Sequence, residues 1–592
     1  MAKRLAVLFT AALGLLALAA GSGAAAGNGD GNKLRTIDHI VVIYEENHSF
    51  DNLYGGWERV RGLADADPAH TTQLGQTGPT SFAPYECLYM DDLNLQAQSP
   101  ANPGAPLTDM CDNTTGGSFP SHFANAPFTI DDYIAPSDTT CPPTPLVAFS
   151  SPNGWLKGTG SPGGCTRDIV HRFYHEIFQL DGGQQNRYVL ASDAAGLTMG
   201  VYDTTALPVY RYLHQPGHPK YAILDNFFQA AFGGSFLNHQ WLVAAASPVC
   251  NAANGCPANA RHSVLDRNGA PFASSPPASS RPPGMGPLYV SPDSGLVNGV
   301  LTQACGVPTT FPGLACGDYA VNTMTPAFQP TSGFAPRLPA QTNPTIGDRL
   351  NGTGVDWAWY SGGWSNANGD VGAPGWTNGT GPAPTPTGCS DPFVDPTVAA
   401  WPRCPDNLFQ YHHQPFNYYA PFTTETPAGL ANRAAHLRDE EEFIDLADGS
   451  TSHCGLKPVS FVKPIGEENE HPGYASEPNG NDHLVSLLQA IEGSKCKENT
   501  MVVVTYDEFG GEWDHVPPPG QGNDNGPHDV WGPGTRVPTL VLGPHLKGPF
   551  VVDHTQYDTT SILRTIEQRY SLAPLATRDA EVNSLANVFD AH

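Results

Sequence analysis

The sequence predicts an α/β protein whose central, mainly parallel β-sheet is flanked by helices. The first observation is a set of short apolar segments rich in β-branched and aromatic residues, which is the composition of buried parallel strands. The second is that segments with helical periodicity alternate with these strands, as they do in an α/β core. The third is that polar residues follow two of the strands directly, and sites in such sheets form at the carboxyl ends of strands.

The predicted elements lie between residues 37 and 570. The predicted strands are 37–44, 221–224, 459–462, 501–506 and 539–542. The predicted helices, in which apolar residues recur at helical spacing, are 168–179, 206–214, 432–446, 483–491 and 559–570. The sequence shows no internal repeat. Its 592 residues are enough for one large core or for two to three average domains, and residues 27–592 are expected to form one domain with loop insertions.

The first 26 residues read as a secretory signal peptide. Lys3 and Arg4 are followed by the apolar run 5–20, and the small residues 24–26 offer a cleavage site. Later in the sequence we find no run of about 18 apolar residues, the length expected of a membrane-spanning helix. The mature protein is therefore expected to be secreted or periplasmic, with no integral membrane segment.

Twelve cysteines and many glycines and prolines (63 and 57) indicate disulfide-stapled loop insertions. The loop-like stretches 61–165, 247–350 and 365–405 hold ten of these cysteines. None forms a CxxC pair, which disfavours a zinc finger or a thioredoxin-like site. Pairing in sequence order, one of many connectivities, gives Cys87/Cys111, Cys141/Cys165, Cys250/Cys256, Cys305/Cys316, Cys389/Cys404 and Cys454/Cys496. The alternative for the cysteines is that they are free, buried thiols. The alternative for the proline-rich segment 268–290 is disorder.

The net charge of −28 argues against a nucleic-acid partner. A protein this acidic repels the phosphate backbone over most of its surface. Charge alone does not indicate an activity.

Two predicted strands end in groups of acidic and amide side chains. Glu45, Glu46 and Asn47 follow the first strand, and Asp507 and Glu508 follow a late one. Side chains of like charge at one sheet edge repel each other unless a positive group lies between them. Their oxygens suit a divalent metal ion. The alternative is that they are ordinary caps and turn residues.

Ser235 follows Gly233 and Gly234 and precedes an apolar helical run. A helix N-terminus offers free amide donors and the positive end of a dipole, both of which favour phosphate binding. The serine is either a nucleophile at such a site or simply an N-cap residue. Asn238, three residues later, is a candidate for the same pocket.

Several histidines lie in polar, turn-rich surroundings and are candidate phosphate or metal ligands. They are His171, His412, His413, His471 and His515. A neutral imidazole binds metal, and a protonated one neutralises phosphate or protonates a leaving alkoxide.

With these elements in view, the chain resembles the bacterial phosphoesterase family of phospholipases C and acid phosphatases, in the alkaline-phosphatase-like superfamily. The resemblance rests on eight segments in family order: IDHIVVIYEENHSFDNLYG, DIVHRFYHEIFQLDGG, ILDNFFQAAFGGSFLNHQWLVAA, VDWAWYSGGW, YHHQPFNYY, HLRDEEEFIDL, SFVKPIGEENEHPG and VVVTYDEFGGEWDHVPPP. It implies a phosphoesterase domain with an alkaline-phosphatase-like fold.

The resemblance also implies roles for individual residues. One divalent metal ion, of unspecified identity, would be bound by Glu46, Asn47, Asp507, Glu508 and the Oγ of Ser235. Ser235 would be the nucleophile that forms a phosphoserine. His171, His413 and His471 would line the phosphate pocket, with His412 as the alternative to His413 and His471 as the proton donor. His515 would stay outside direct contact.

The resemblance leaves the substrate open between a small phosphate ester and a phospholipid. Phospholipase C members usually carry threonine where this chain has Ser235, so an acid phosphatase is favoured. The alternative is a phospholipase C, which predicts an aromatic, choline-binding surface. Trp357, Trp359 and Trp364 are candidates for this surface and equally candidates for the core. A non-catalytic secreted binding protein is the third hypothesis. Protonated pocket histidines predict a mildly acidic pH optimum.

Overall fold

The computed structural model describes most of the chain between residues 33 and 590. The described ranges are 33–78, 81–88, 111–113, 119–121, 123–132, 134–137, 165–166, 168–192, 195–258, 301–302, 305, 315–331, 336–377, 408–448, 453–473, 475–522 and 525–590. The predicted signal peptide, the segment 268–290 and much of the three predicted insertions lie outside the described residues.

An eight-stranded sheet forms the centre of the molecule. Its strands are β1 (His39–Glu45), β2 (Tyr221–Leu224), β3 (Trp357–Ser361), β4 (Leu437–Arg438), β5 (Val459–Lys463), β6 (Thr500–Tyr506), β7 (Thr539–Leu542) and β8 (Phe550–Asp553). The spatial order is β4-β3-β5-β1-β6-β7-β2-β8. All neighbours pair in parallel except β7, which runs antiparallel to β6 and β2. The predicted mainly parallel sheet is confirmed.

Within the described ranges, eight helices of seven or more residues accompany the sheet. They are α1 (Phe173–Leu180), α2 (Pro208–His214), α3 (Ser235–Ala244), α4 (Ile346–Thr353), α5 (Pro427–His436), α6 (Glu440–Ala447), α7 (Glu477–Gly493) and α8 (Thr560–Tyr570). Shorter helices are Phe50–Leu53, Pro68–Thr71, Tyr188–Ala191, Trp364–Asn368 and Thr577–Glu581. Two-residue strands and hairpins pair locally outside the main sheet.

The predicted helices are found with shifted boundaries. The predicted helix 432–446 is two helices, because Leu437 and Arg438 leave α5 to pair with β3 before Asp439 caps α6. The predicted start at residue 168 was wrong, since residues up to Arg172 are not helical and α1 begins at Phe173. Helix α2 begins at Pro208, where proline is favoured in the first turn.

Strands β3, β4 and β8 were not predicted. Strand β3 carries Trp357 and Trp359, which are both fully buried and pack against other rings of the core. These tryptophans and Trp364 were candidates for a choline-binding surface, with a place in the core as the equally weighted alternative. The core alternative is confirmed, because all three are at most 1% exposed.

Three of the predicted disulfides are present: Cys250–Cys256, Cys305–Cys316 and Cys454–Cys496. Cys87 and Cys165 are also disulfide-bonded, so none of the described cysteines supports the alternative of free thiols. The other three predicted pairs involve side chains outside the described residues. Within the described part of the chain, no helix combines the length and apolar character needed to cross a bilayer.

Candidate active site

Three neighbouring parallel strands deliver charged side chains to one edge of the sheet. Lys463 is the last residue of β5, Glu46 follows the end of β1, and Asp507 follows the end of β6. Because β5, β1 and β6 are adjacent and parallel, their carboxyl ends lie side by side. All three side chains are fully buried.

Ser235 enters this edge from a glycine loop. Gly233 has φ +90°, and a Cβ there would lie 2.6 Å from the backbone nitrogen of Phe173. Gly234 is the N-cap of α3 without a side-chain cap, and Ser235 is the first helical residue. The alternative that Ser235 is merely an N-cap is therefore wrong.

The hydroxyl of Ser235 lies among acidic and amide oxygens instead. Its Oγ donates to Oε2 of Glu46 at 3.0 Å and lies 3.4 Å from Oδ1 of Asn47 and 3.4 Å from Oε1 of Glu508. Residues separated by nearly 190 and by more than 270 positions in the chain thus meet at one hydroxyl.

Asn47 holds a backbone conformation that non-glycine residues rarely adopt. Its φ is +61°, and its backbone N–H donates to Oδ1 of Asp507 at 3.1 Å. Gly510 lies against it, since a Cβ there would be 2.2 Å from the Asn47 carbonyl oxygen. With its amide group reversed, Asn47 would donate to Glu46 at 2.9 Å and to Glu508 at 2.8 Å. Its side chain therefore lies at the centre of the acidic group.

The acidic side chains are short of positive partners. Burial, and then the charge of Glu46, raises the pKa of Asp507 well above its usual value. Burial, and then the charge of Asp507, does the same to the pKa of Glu508. Oδ2 of Asp507 is buried without a hydrogen-bond partner in the described structure. Such a group is costly to bury unless a cation compensates it.

The donor set fits a divalent metal ion. Glu46, Asn47, Asp507, Glu508 and the Oγ of Ser235 offer oxygen donors, which hard cations prefer. The unpartnered oxygen of Asp507 and the mutual repulsion of the carboxylates both favour an ion at this point. The five residues predicted to hold the metal are therefore brought together.

Lys463 was not predicted, although it is the positive group nearest to Glu46. Its Nζ lies 2.6 Å from Oε1 of Glu46 and donates to the carbonyl oxygen of Tyr44 at 2.8 Å. A signal existed in the sequence, because a lysine ends the apolar strand VSFVK in a chain with few cations. A buried lysine requires an acidic partner.

His413 faces Glu46, with Nε2 3.1 Å from Oε1. His412 is only partly buried and its ring lies beside that of His413 at 4.5 Å, so His413 is the inward member of the pair. His239, which was not predicted, stacks on His413 with ring centroids 5.0 Å apart and an angle of 3°. Its position four residues after Ser235 places it on the same face of α3, where Nδ1 donates to the Ser235 carbonyl at 2.8 Å.

His171 and His471 lie on the other side of Asn47. Their Nε2 atoms are 3.4 Å and 3.1 Å from Nδ2 of Asn47, and His171 is 3.4 Å from Oε1 of Glu508. Nδ1 of His471 donates to the carbonyl oxygen of Pro472 at 2.7 Å, so in the neutral ring Nε2 is an acceptor.

The surroundings of His412, His413 and His471 lower the pKa of each ring. Burial lowers the pKa of His413 and of His471 well below the usual value, with neighbouring histidines as the second cause. Burial, and then Lys463, lowers the pKa of His412 to about 3. These lowered pKa values do not support the expectation that protonated histidines in the pocket set a mildly acidic pH optimum.

Asn238 does not face the phosphate pocket. Its Oδ1 accepts from the backbone nitrogen of Ala231 at 3.0 Å, and its Nδ2 donates to the carbonyl oxygens of Ala231 and Gly233. The fully buried amide therefore makes its hydrogen bonds to the loop before Ser235. The prediction that Asn238 binds phosphate was wrong, and its side chain instead stabilises this loop.

Glu176 of α1 holds the same loop and was not predicted. Its Oε2 accepts from the Gly233 backbone nitrogen at 2.5 Å, and its Oε1 accepts from the backbone and hydroxyl of Thr535 at 2.7 and 2.9 Å. Burial raises the pKa of Glu176 to about 8, although these hydrogen bonds act to lower it.

His515 lies outside the cluster around Ser235. Its Nδ1 is 2.5 Å from Oδ2 of Asp51, and Arg536 lies 3.1 Å from the other oxygen of Asp51. This placement agrees with a position without direct contact to the predicted metal ligands.

The chain matches the Phosphoesterase family over residues 37–573, which is most of its length, and it therefore belongs to that family.

Curated relatives match over shorter stretches. Phospholipase C B of Mycobacterium tuberculosis is 32% identical over 155 residues, which are 23% of this chain and 30% of that protein. Non-specific phospholipase C6 of Arabidopsis thaliana is 30% identical over 166 residues, 24% of this chain and 32% of that protein. The matched stretches cover about a third of each relative's length.

Among solved structures, a protein in the alkaline phosphatase superfamily from Vibrio parahaemolyticus overlaps 40% of this chain and 50% of its own, at 14% identity and a TM-score of 0.20. A likeness this low carries no argument.

Proposed function

We propose that this protein is a secreted, metal-dependent hydrolase of phosphoric esters, with Ser235 as its nucleophile, and that it is an acid phosphatase. The observation that carries the proposal is the position of Ser235 Oγ, at the start of α3 and within 3.4 Å of Glu46, Asn47 and Glu508. Membership of the Phosphoesterase family supports the reaction class.

The residues suited to hold one divalent ion are Glu46, Asn47, Asp507, Glu508 and Ser235. When bound, such an ion lowers the pKa of the serine hydroxyl and neutralises charge on the phosphoryl oxygens. Lys463 and the neighbouring backbone hold Glu46 and Asp507 in place before any ligand arrives.

In the first half of the reaction, Ser235 Oγ attacks phosphorus and forms a phosphoserine. Oε2 of Glu46 already accepts the hydroxyl hydrogen bond at 3.0 Å and is the nearest acceptor for the proton. The N-terminus of α3 directs amide N–H groups toward the phosphoryl oxygens.

The ester bond breaks as the leaving alkoxide takes a proton. His471 supplies it from Nε2, once the negative charge of the bound phosphate favours the protonated ring. Nδ1 already donates to Pro472, so the ring takes its second proton at Nε2, and the oxygen of Asn47 accepts from this nitrogen when the Asn47 amide is reversed. Water then cleaves the phosphoserine, which releases phosphate and restores Ser235.

Phospholipase C is the second candidate, because the relatives named above are phospholipases C. Two observations favour the phosphatase. The residue at the nucleophile position is serine, and the three tryptophans proposed for a choline-binding surface are buried in the core. The substrate is accordingly proposed to be a small phosphate ester.

Parallel assays separate the two candidates. The purified protein is incubated with p-nitrophenyl phosphate and with phosphatidylcholine vesicles, after chelation and after addition of single divalent metals, from about pH 4 to about pH 8. We expect hydrolysis of the small ester, its loss on chelation and its return with metal. Hydrolysis of the lipid alone would replace the phosphatase by the phospholipase, and full activity of the metal-free protein would refute the metal requirement.

A further inference from the structure

The two carboxylate oxygens of Glu46 face two different sets of groups. Oε2 accepts from Ser235 at 3.0 Å on the side of the proposed metal. Oε1 faces Lys463 at 2.6 Å, His413 at 3.1 Å and His239 at 3.9 Å. Glu46 therefore bridges two adjoining sites, as a carboxylate does between the paired cations of two-metal hydrolases.

The second of these sites has the donors of a metal centre. Ligand atoms of Glu46, His239 and His413 lie within 4.8 Å of one another, and all three side chains are buried. Two imidazoles and a carboxylate are a frequent donor set for zinc. Nε2 of His239 is buried without a hydrogen-bond partner in the described structure.

The ammonium group of Lys463 already contacts Oε1 of Glu46, the oxygen that faces this second site. Lys463 is fully buried, and its Nζ is fixed by the carbonyl oxygen of Tyr44 at 2.8 Å and by Glu46. The lysine comes from strand β5, so its stem is held by the sheet rather than by a mobile loop.

Charge balance also argues for a single metal ion. Glu46, Asp507 and Glu508 together carry three negative charges when ionised, and Lys463 carries one positive charge. One divalent ion then brings the group to neutrality, whereas two would leave it with a buried positive excess.

We propose that the ammonium group of Lys463 acts as a fixed second cation beside Glu46, so that the site takes up one divalent ion where its donors would otherwise hold two. This inference rests on the proposed function for the position of the first ion. Lys463 acts through Glu46 and the metal, and is thus a positioning residue.

Two substitutions separate the charge of Lys463 from its volume. Lys463→Met removes the charge and keeps the stem, whereas Lys463→Ala also opens space beside Glu46. Lys457→Met is the matched control, since Lys457 lies just before β5 and pairs with Asp356 near the surface. Circular dichroism establishes that each variant is folded.

The measurement is Zn²⁺ binding to the chelator-treated protein, by calorimetry and by metal analysis after dialysis. We expect one ion per chain for the wild type and for Lys457→Met. Lys463→Met should bind one ion at least about tenfold more tightly, because a competing positive charge is removed. Lys463→Ala should bind two ions. If Lys463→Ala unfolds without metal, the affinity of Lys463→Met decides the test.

Two outcomes overturn the inference alone: a wild type that binds two ions, or Lys463 variants that bind one ion with unchanged affinity. A wild type that binds no divalent ion overturns the proposed metal-dependent function, and this inference with it.

Discussion

Two buried clusters of acidic side chains are formed by the same two stretches of the chain. Only one of these clusters resembles a reactive site. The site cluster consists of Glu46, Asn47, Asp507, Glu508 and Ser235. The arginine cluster consists of Asp51, Asp514, His515 and Arg536. In both, residues that follow β1 meet residues that follow β6, and the aspartates and glutamates are fully buried.

The arginine cluster is saturated with partners. Arg536 contacts Asp51 at 3.1 Å and Asp514 at 2.9 Å. The second oxygen of Asp51 accepts from the His515 backbone at 2.8 Å, and that of Asp514 accepts from the Asp51 backbone at 3.1 Å.

The site cluster contains three carboxylates and has one cationic partner among the described residues, Lys463. One oxygen of Asp507 has no hydrogen-bond partner in the described structure. The difference teaches that buried acids alone do not indicate a metal site. The informative sign is a deficit of positive charge.

Ser235→Ala should give the largest effect. Loss of the nucleophile should lower the hydrolysis of p-nitrophenyl phosphate by at least about 10³-fold, with the fold intact. Ser561→Ala is the control, because Ser561 is equally buried but accepts from the backbone of Asp558 at the start of α8. Steady-state kinetics and thermal unfolding measure both variants. Full activity of Ser235→Ala would rule out the covalent mechanism.

Arg536→Met tests the saturated cluster. Removing the guanidinium leaves Asp51 and Asp514 buried without their cation, so the free energy of unfolding should fall by about 3–5 kcal/mol. Urea denaturation measures this change, and Arg569→Met, at a partly exposed pair with Asp38, should cost less than about 1 kcal/mol. Equal losses in the two variants would contradict the comparison.

Asp507→Asn and Asp514→Asn apply one chemical change to both clusters. Asp507→Asn should reduce hydrolysis by at least about 10²-fold, because metal affinity is lost, and should change the stability of the metal-free protein by less than about 1 kcal/mol. Asp514→Asn should lower the free energy of unfolding by about 1–3 kcal/mol and leave kcat/KM of the folded protein within about threefold.

Steady-state kinetics and urea denaturation measure both variants. The reverse pattern, in which Asp514→Asn lowers hydrolysis and Asp507→Asn lowers stability, would contradict the comparison.

The smallest effect concerns pH. The pKa of His412 is about 3 in the folded protein and near 6.5 in an unfolded chain, so below pH 6.5 the unfolded state takes up a proton that the folded state refuses. The contribution of His412 to the free energy of unfolding should therefore fall by about 1–2 kcal/mol between pH 6.5 and about pH 5. Urea denaturation of chelator-treated protein measures the slope, which His412→Asn should reduce by that amount. An unchanged slope in that variant would contradict the assignment.

The local part of this structure could be predicted from the sequence. Strands such as 221–224, with the sequence YAIL, consist of apolar and aromatic residues and were predicted with their observed limits. Four of the five predicted metal ligands, all except Ser235, lie directly after strands, where the parallel sheet brings them to one edge. The strand β3 was missed, and its tryptophans were left open between core residues and binding residues.

The individual partners of several buried residues could not be predicted from local sequence patterns. Glu176 acts through a loop 57 residues away, and Lys463 through Glu46 of a neighbouring strand. Asn238 was misassigned because the sequence gives its spacing from Ser235 but not the direction of its amide. The order of strands in the sheet is likewise a product of contacts between distant segments.

The disulfide Cys454–Cys496 closes a ring of chain that contains both Lys463 and His471. The two cysteines are 42 positions apart in the sequence, and such a crosslink removes about 4 kcal/mol of chain entropy from the unfolded state. Reduction of this disulfide would remove that restraint from the segment that carries Lys463 and His471. Controlled reduction is therefore a means of relaxing the segment that contains β5, whereas β1 and β6 lie outside the closed ring.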